Sequence, residues 1–203
     1  MKVEYNTGNI KKYESKNPLK RTMVKRFNKR IIGIIKELDG EKTFRILDAG
    51  CGEGYIDRLI LDEIDNVQIV GLEYTEEAIE IAKSVNPQTE YINGDICQIP
   101  FEDDSFDYVI CTEVLEHLSE PKKALEELIR VSKGKLLITV PHEPWFCMGN
   151  MLALKNITRF GNPIDHINHW TKKSFLRFLN SIINGWEISG SFPWIVARLV
   201  SKE

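Results

Sequence analysis

The stretch ILDAGCGEG, residues 46–54, sets one carboxylate, Asp48, just ahead of three glycines at alternate positions, Gly50, Gly52 and Gly54. Ile46 and Leu47 read as the end of a strand, the glycines as a tight turn, and Ile56, Leu59 and Ile60 as the apolar face of the helix that follows. A strand, glycine turn and helix in that order present backbone N–H groups to a nucleotide-like ligand at the helix N-terminus. A phosphate loop ends in Lys followed by Ser or Thr, and here Gly54 is followed by Tyr55, Ile56 and Asp57. A dinucleotide turn needs a small third residue at position 55, where this chain has Tyr, and Asp48 and Glu53 would set like charge against a pyrophosphate.

Those acids suit a cofactor with a cationic amino-acid end and an adenosine end. Asp48 can help hold an ammonium, directly or through water, while backbone N–H groups of the turn receive a carboxylate. Glu73 follows a second apolar strand and offers two oxygens to a pair of ribose hydroxyls. Asp95 can accept from an exocyclic adenine amine, with Ile96 packed on the ring. Successive parallel strands present their C-terminal ends together, so all three acids reach one edge of a sheet.

The elements that must do this positioning follow a repeating pattern. Short apolar strands at 44–48, 67–72, 89–92, 106–111 and 134–140 alternate with helical patterns near 54–64, 76–84 and 121–131. This means an α/β fold with a mostly parallel sheet flanked by helices. Thr171 caps a helix over about 172–183, Gly185 stops it, and two strands follow at 186–191 and 194–200. Only Phe192 and Pro193 join these strands, too few for a helical crossover, so they are antiparallel neighbours or diverge across another strand. Ahead of the sheet, Pro18 opens a helix with Val24, Phe27, Ile31, Ile34 or Ile35 and Leu38 on one side, stopped at Asp39 and Gly40, to pack on a sheet edge or over the ligand cleft. The division is a basic helical cap over 1–40 and a domain over 41–203, with an aromatic, Met- and His-rich insertion at about 141–170.

At 203 residues, with 42% hydrophobic and 28% charged, the composition is that of a soluble globular protein. No apolar run reaches membrane-spanning length and the start lacks a secretory segment, so no integral membrane association and a cytoplasmic location are expected. Four cysteines without a CxxC pair read as free thiols. Residues 37–129 hold 6 Lys or Arg against 24 Asp or Glu, which argues against a broad nucleic-acid face. Residues 1–36 hold 11 against 2, a basic segment able to meet an anionic substrate, RNA or a membrane surface.

The series ILDAGCGEG, VGLEYTEEAIEIAK, INGDICQIPFEDDSFDYVICTEVLEHLSEPKKALEEL and LLITVP closely resembles the class I S-adenosylmethionine-dependent methyltransferases over about residues 44–141. Within them it resembles the broad small-molecule group that includes ubiquinone and menaquinone methylating enzymes. The resemblance implies a Rossmann-like seven-stranded sheet whose last strand lies antiparallel between the fifth and sixth. It places Asp48, Gly50, Cys51, Gly52 and Gly54 around the methionine end of the cofactor, Glu73 and Tyr74 at the ribose, and Asp95 and Ile96 at the adenine. Thr112, Glu113 and Val114 would line the methionine or the approach of the acceptor. The implied activity is methyl transfer from S-adenosylmethionine to an oxygen, nitrogen or carbon nucleophile.

Such transfer asks mainly for alignment of nucleophile, methyl carbon and sulfur, with a general base only where the acceptor must lose a proton. Candidate bases are Glu143 and the histidines. His117, in EVLEHL, is assigned a local role in the cofactor loop. His142, His166 and His169 are the candidates for base or acceptor-orienting group, the last two sharing one helical face or closing over the pocket with Trp145, Phe146, Trp170 and residues 148–154 as apolar cover. No spacing such as HExxH is present, so no metal is expected. The low charge of 141–170 favours a small-molecule acceptor. An RNA or protein acceptor, and a regulatory protein that binds the cofactor without methyl transfer, are the alternatives.

Overall fold

Asn17 starts the first helix: its side-chain oxygen accepts from the N–H of Leu19 at 2.9 Å and of Lys20 at 3.3 Å, with proline at the first helical position. The computed structural model describes residues 17–37, 43–152 and 166–202. Residues 1–16 of the proposed cap, its stop at Asp39 and Gly40 and positions 153–165 of the insertion lie outside them.

Helix α1 (Pro18–Lys36) is followed by β1 (Phe44–Ala49), α2 (Tyr55–Glu63), β2 (Val67–Glu73), α3 (Glu76–Val85), β3 (Glu90–Asn93) and β4 (Tyr108–Thr112). A 3-10 turn (Leu115–His117), α4 (Pro121–Val131), β5 (Leu136–Pro141), α5 (Glu143–Leu152), α6 (Lys172–Asn180), β6 (Trp186–Ser191) and β7 (Trp194–Leu199) complete the order. The seven strands form one Rossmann-like sheet in the order β3-β2-β1-β4-β5-β7-β6. β1 to β5 are parallel, with Asp48 opposite Gly71 on one side and Ile110 on the other. β7 runs antiparallel to both β5 and β6, the arrangement the two-residue link demands.

Alternate residues of the strands feed two cores, as a period of two requires. Leu47, Val70, Val109 and Ile138 pack with Leu125, Leu128, Phe175 and Leu179 on one face. Ile46, Ile69, Tyr108, Leu137 and Val196 pack with Phe27, Ile31, Ile35 and Ile60 on the other, where Phe27 lies 4.5 Å from the ring of Trp194. α1 is thereby a cover for the sheet and not for the ligand cleft. Its basic residues alternate with that buried stripe, and among the described residues no helix is long and apolar enough to cross a membrane.

Several boundaries differ from the sequence reading: β5 begins at Leu136 and not at 134, and α6 ends at Asn180 and not near 183. β4 begins at Tyr108 and not at 106, because the Asp107 carboxylate accepts from the Arg45 N–H at 2.8 Å and takes the place of a ladder bond. Residues 143–152, read from sequence as an irregular insertion, form α5. Their sequence, EPWFCMGNML, is apolar nearly all round and shows no one-sided stripe to announce a helix. The Thr171 cap stands: Thr171 Oγ1 accepts from the Ser174 N–H at 3.2 Å, and Ser174 Oγ accepts from the Thr171 N–H at 2.9 Å.

Candidate functional site

At the C-terminal ends of β1, β2 and β4 lies a cavity of about 350 Å³, within the range of roughly 300–1,000 Å³ usual for small-molecule sites. Gly50, Cys51 and Gly52 form its floor, Glu73 and Tyr74 one wall, Asp95 and Ile96 a second, and Thr112, Glu113 and Val114 a third. Tyr55, Leu72 and Gly94 also line it, none of them singled out as a lining residue from sequence, as does His117, which was given a local role there. Gly94 precedes Asp95 at the exit of β3, the one signal that pointed to it.

The turn needs its glycines for stated reasons. Gly50 has φ +80 and Gly52 φ +53, the left-handed region. A Cβ on Gly50 would come within 2.4 Å of Val114 Cγ2. The Gly50 and Cys51 N–H groups both donate to the Leu72 carbonyl, at 2.7 and 3.2 Å, folding the turn back over β2. Glu73 closes the clamp: its Oε2 accepts from the Gly52 N–H at 3.0 Å, while its Oε1 accepts from the N–H and the hydroxyl of Thr75, each at 3.0 Å. A carboxylate has about four acceptor sites, so Glu73 keeps capacity for a ligand hydroxyl while it is held in place. Asp95 is held in the same manner, its Oδ1 accepting from the Cys97 N–H at 2.8 Å.

Asp48 and Gly54 lie beneath the wall and do not line the cavity. Asp48 is 1% exposed and belongs to a buried group with Asp57, Tyr91 and Asn86. The Tyr91 hydroxyl donates to Asp57 Oδ2 at 2.8 Å, and Asn86 Nδ2 donates to the Tyr91 oxygen and the Gly54 carbonyl, both at 2.8 Å. Burial first, then the charge of Asp57, pushes the Asp48 carboxyl well above its usual range. Burial pushes Asp57 up to about 6, against the opposing hydrogen bonds from Asp48 and Tyr91. The residue expected to hold an ammonium, directly or through water, thus stands beneath the wall of the cavity and outside its lining.

The buried acids predict a pH dependence. Asp57 titrates near 6 when folded and near ~3.9 when unfolded. Between those values the folded state binds more protons, so its contribution to stability is present at low pH and is lost as pH rises from about 4 through 6. Asp57→Asn, which keeps an acceptor for Tyr91, is expected to remove about 1.4 kcal/mol of that decline between pH 5 and 7.5. Urea midpoints across that range measure it; parallel pH profiles for the two proteins would refute the assignment.

The three candidate histidines are distributed unequally. His166 and His169 lie in an extended segment, not on a helical face, because the Ile167 and Asn168 N–H groups both donate to the Glu116 carbonyl, at 2.9 and 3.0 Å. Both rings turn to Glu143: His166 Nδ1 lies 3.0 Å and His169 Nδ1 3.5 Å from Glu143 Oε1. The Cys147 thiol donates to the other oxygen at 2.9 Å. Burial raises the Glu143 carboxyl, but the bonds from His166 and Cys147 outweigh it and hold Glu143 below its ordinary value. Glu143 is therefore a fixed acceptor and a poor base. His142 is tied through its backbone to Pro193 and Trp170, and burial, then the charge of Lys172, lowers its imidazole. None of the three lines the cavity; the ring centre of His166 lies 5.0 Å from that of the lining residue His117.

Glu113 joins this region to the far side of the sheet. It holds φ +56, uncommon for a residue with a side chain, and its Oε1 accepts from Trp194 Nε1 at 2.6 Å. Trp145, Met148 and Met151 on α5 are exposed, with Trp145 6.2 Å from the exposed ring of Phe192. The side chain of Phe146 lies outside the described residues.

The methyltransferase domain family matches residues 47–138. A demethylmenaquinone methyltransferase of Renibacterium salmoninarum is 30% identical over 138 residues, 66% of this chain and 56% of that protein. One from Thermotoga maritima is 32% identical over 115 residues, 56% of this chain and 49% of that protein. The chain spans about half the length of the curated relatives it matches. Magnesium protoporphyrin IX methyltransferase from Synechocystis PCC 6803, solved with bound SAH, has the same fold, with a TM-score of 0.70 over 95% of this chain and 92% of that one at 17% identity.

Proposed function

We propose that residues 47–138, which match the methyltransferase domain family, form a class I S-adenosylmethionine-dependent methyltransferase domain, and that the protein transfers a methyl group from S-adenosylmethionine to a small-molecule nucleophile. The observation that carries the reading is the Glu73 carboxylate, pinned by three hydrogen bonds at the wall of a glycine-floored cavity. With three of its roughly four acceptor sites in use, it keeps one for a ribose hydroxyl. Asp95 and Ile96 offer an acceptor and an apolar surface for an adenine. The Gly50 cradle, with no room for a Cβ, lets a ligand lie directly on backbone.

When bound, the sulfonium of the cofactor supplies an already activated methyl group. The chain's share is to hold both reactants in line and to exclude water. Thr112, Glu113 and Val114 border the cavity on the β4 side, next to β5 and α5, and we assign that side to the acceptor. The exposed aromatic pair Trp145 and Phe192 favours an acceptor with an apolar part, and the quinone-directed names of two relatives are in keeping with this. His166, held by Glu143 and next to the wall residue His117, is the histidine we assign to orienting that acceptor, with residues 141–152 and 166–170 as pocket and cover.

Glu73→Ala is expected to weaken S-adenosylmethionine binding by about 2 kcal/mol, or roughly 30-fold, through the lost bond to a charged acceptor. An unchanged dissociation constant by titration calorimetry would remove Glu73 from the ribose site. The function itself is tested by screening small molecules, peptides and RNA for transfer of a labelled methyl group. Labelling of small molecules is expected. Labelling confined to RNA or protein overturns the acceptor class, and cofactor binding without transfer to any class favours a regulatory role.

A further inference from the structure

We propose that Glu116, His117 and His166 form a site for a divalent first-row transition-metal ion at the edge of the cavity. One ligand atom from each residue lies within 4.8 Å of the others. Ligands about 2.1 Å from a tetrahedral ion stand about 3.4 Å apart, so side-chain rotation of the order of an ångström closes the site. Two imidazoles and a carboxylate form a donor set suited to iron, zinc, cobalt or manganese, with further positions open.

The surroundings build the site from outside. Glu143 Oε1 sits 3.0 Å from His166 Nδ1, a carboxylate behind a candidate ligand that fixes the orientation of its ring. The two ligand-bearing segments are also stitched together. The Ile167 and Asn168 N–H groups donate to the Glu116 carbonyl, and Asn168 Nδ2 donates to the carbonyls of Leu115 at 3.0 Å and Leu118 at 2.6 Å. The cluster is therefore ordered by bonds other than those it would make to the ion. His117 belongs both to the cluster and to the cavity wall, so an ion bound here lies beside the reactants. Its open positions would take a hydroxyl oxygen of the acceptor; this part of the inference rests on the methyl-transfer reading, whereas the ion site does not. The sequence pattern gave no warning, since the third ligand stands far along the chain from the adjacent pair.

The test titrates the full chain, freed of any affinity tag and treated with chelator, with CoCl2, MnCl2 and ZnCl2 by calorimetry, and follows Co2+ by its visible absorption. One ion per chain is expected, with a dissociation constant in the micromolar range or below. His117→Asn changes an exposed residue and should leave the fold intact, as circular dichroism would check; it and His166→Asn should each weaken binding at least about 100-fold, and Glu143→Gln by roughly 10-fold. Failure of the folded wild-type chain to bind any of the three ions more tightly than about 1 mM, or wild-type affinity in His117→Asn, overturns the site. S-adenosylmethionine is titrated in parallel. Cofactor binding without ion binding defeats this inference alone, and ion binding without cofactor binding defeats the methyl-transfer reading alone.

Discussion

Gly50→Val is expected to abolish S-adenosylmethionine binding, with at least a ~100-fold rise in dissociation constant, or about 3 kcal/mol. Two effects act together. At φ +80 a β-carbon is in the left-handed region, which costs roughly 1–2 kcal/mol for an L-residue. That carbon would also stand 2.4 Å from Val114 Cγ2, so either the turn lifts from the β4 exit or Val114 is driven into the cavity. Either movement spoils the floor, and the paired bonds from Gly50 and Cys51 to the Leu72 carbonyl go with it. Gly50→Ala combined with Val114→Ala separates the two causes. It removes the collision and keeps the strained angle, so it should recover part of the affinity lost in Gly50→Ala alone. Tight binding by Gly50→Val would show that the turn is not the cofactor floor.

His166→Ala is expected to lower turnover about 100-fold while cofactor affinity stays within about threefold. The separation follows from position: His166 stands behind His117, outside the cavity lining, and is fixed by the Glu143 carboxylate. His169 lies at 3.5 Å from the same oxygen and is 39% exposed, so His169→Ala should cost no more than about fivefold in turnover, and His142→Ala, whose ring is not on the cavity wall, about as little. Single-turnover transfer to the best acceptor, measured beside calorimetric cofactor binding, reads both quantities. Wild-type turnover in His166→Ala would take this residue out of acceptor chemistry, and a fall in cofactor affinity of the same size would move it to the cofactor loop.

The walls of the candidate cavity were legible from the chain because a parallel sheet makes them local. Each wall residue follows directly on its own strand: Gly50 to Gly52 after β1, Glu73 and Tyr74 at the end of β2, Asp95 after β3, Thr112 to Val114 after β4. The apolar runs that mark those strands therefore mark the site as well, and one-directional packing of parallel strands brings the ends together. The antiparallel place of β7 was legible for a similar reason, since two residues cannot carry a crossover.

What tertiary structure alone decided are the contacts between groups distant in sequence. Asp48 became a buried neighbour of Asp57, and Tyr91 reached Asp57 across 34 positions. Trp194 found Glu113 across 81 positions. Glu143, read as a base, became the acceptor on which His166 and His169 converge, and that same approach set His166 beside Glu116 and His117. Periodicity and turn chemistry report the neighbours a residue has along its own helix or strand. Burial of a carboxylate, the direction of an imidazole and the meeting of three ligand atoms depend on which faces the sheet and its covering segments press together, and no local pattern encodes that.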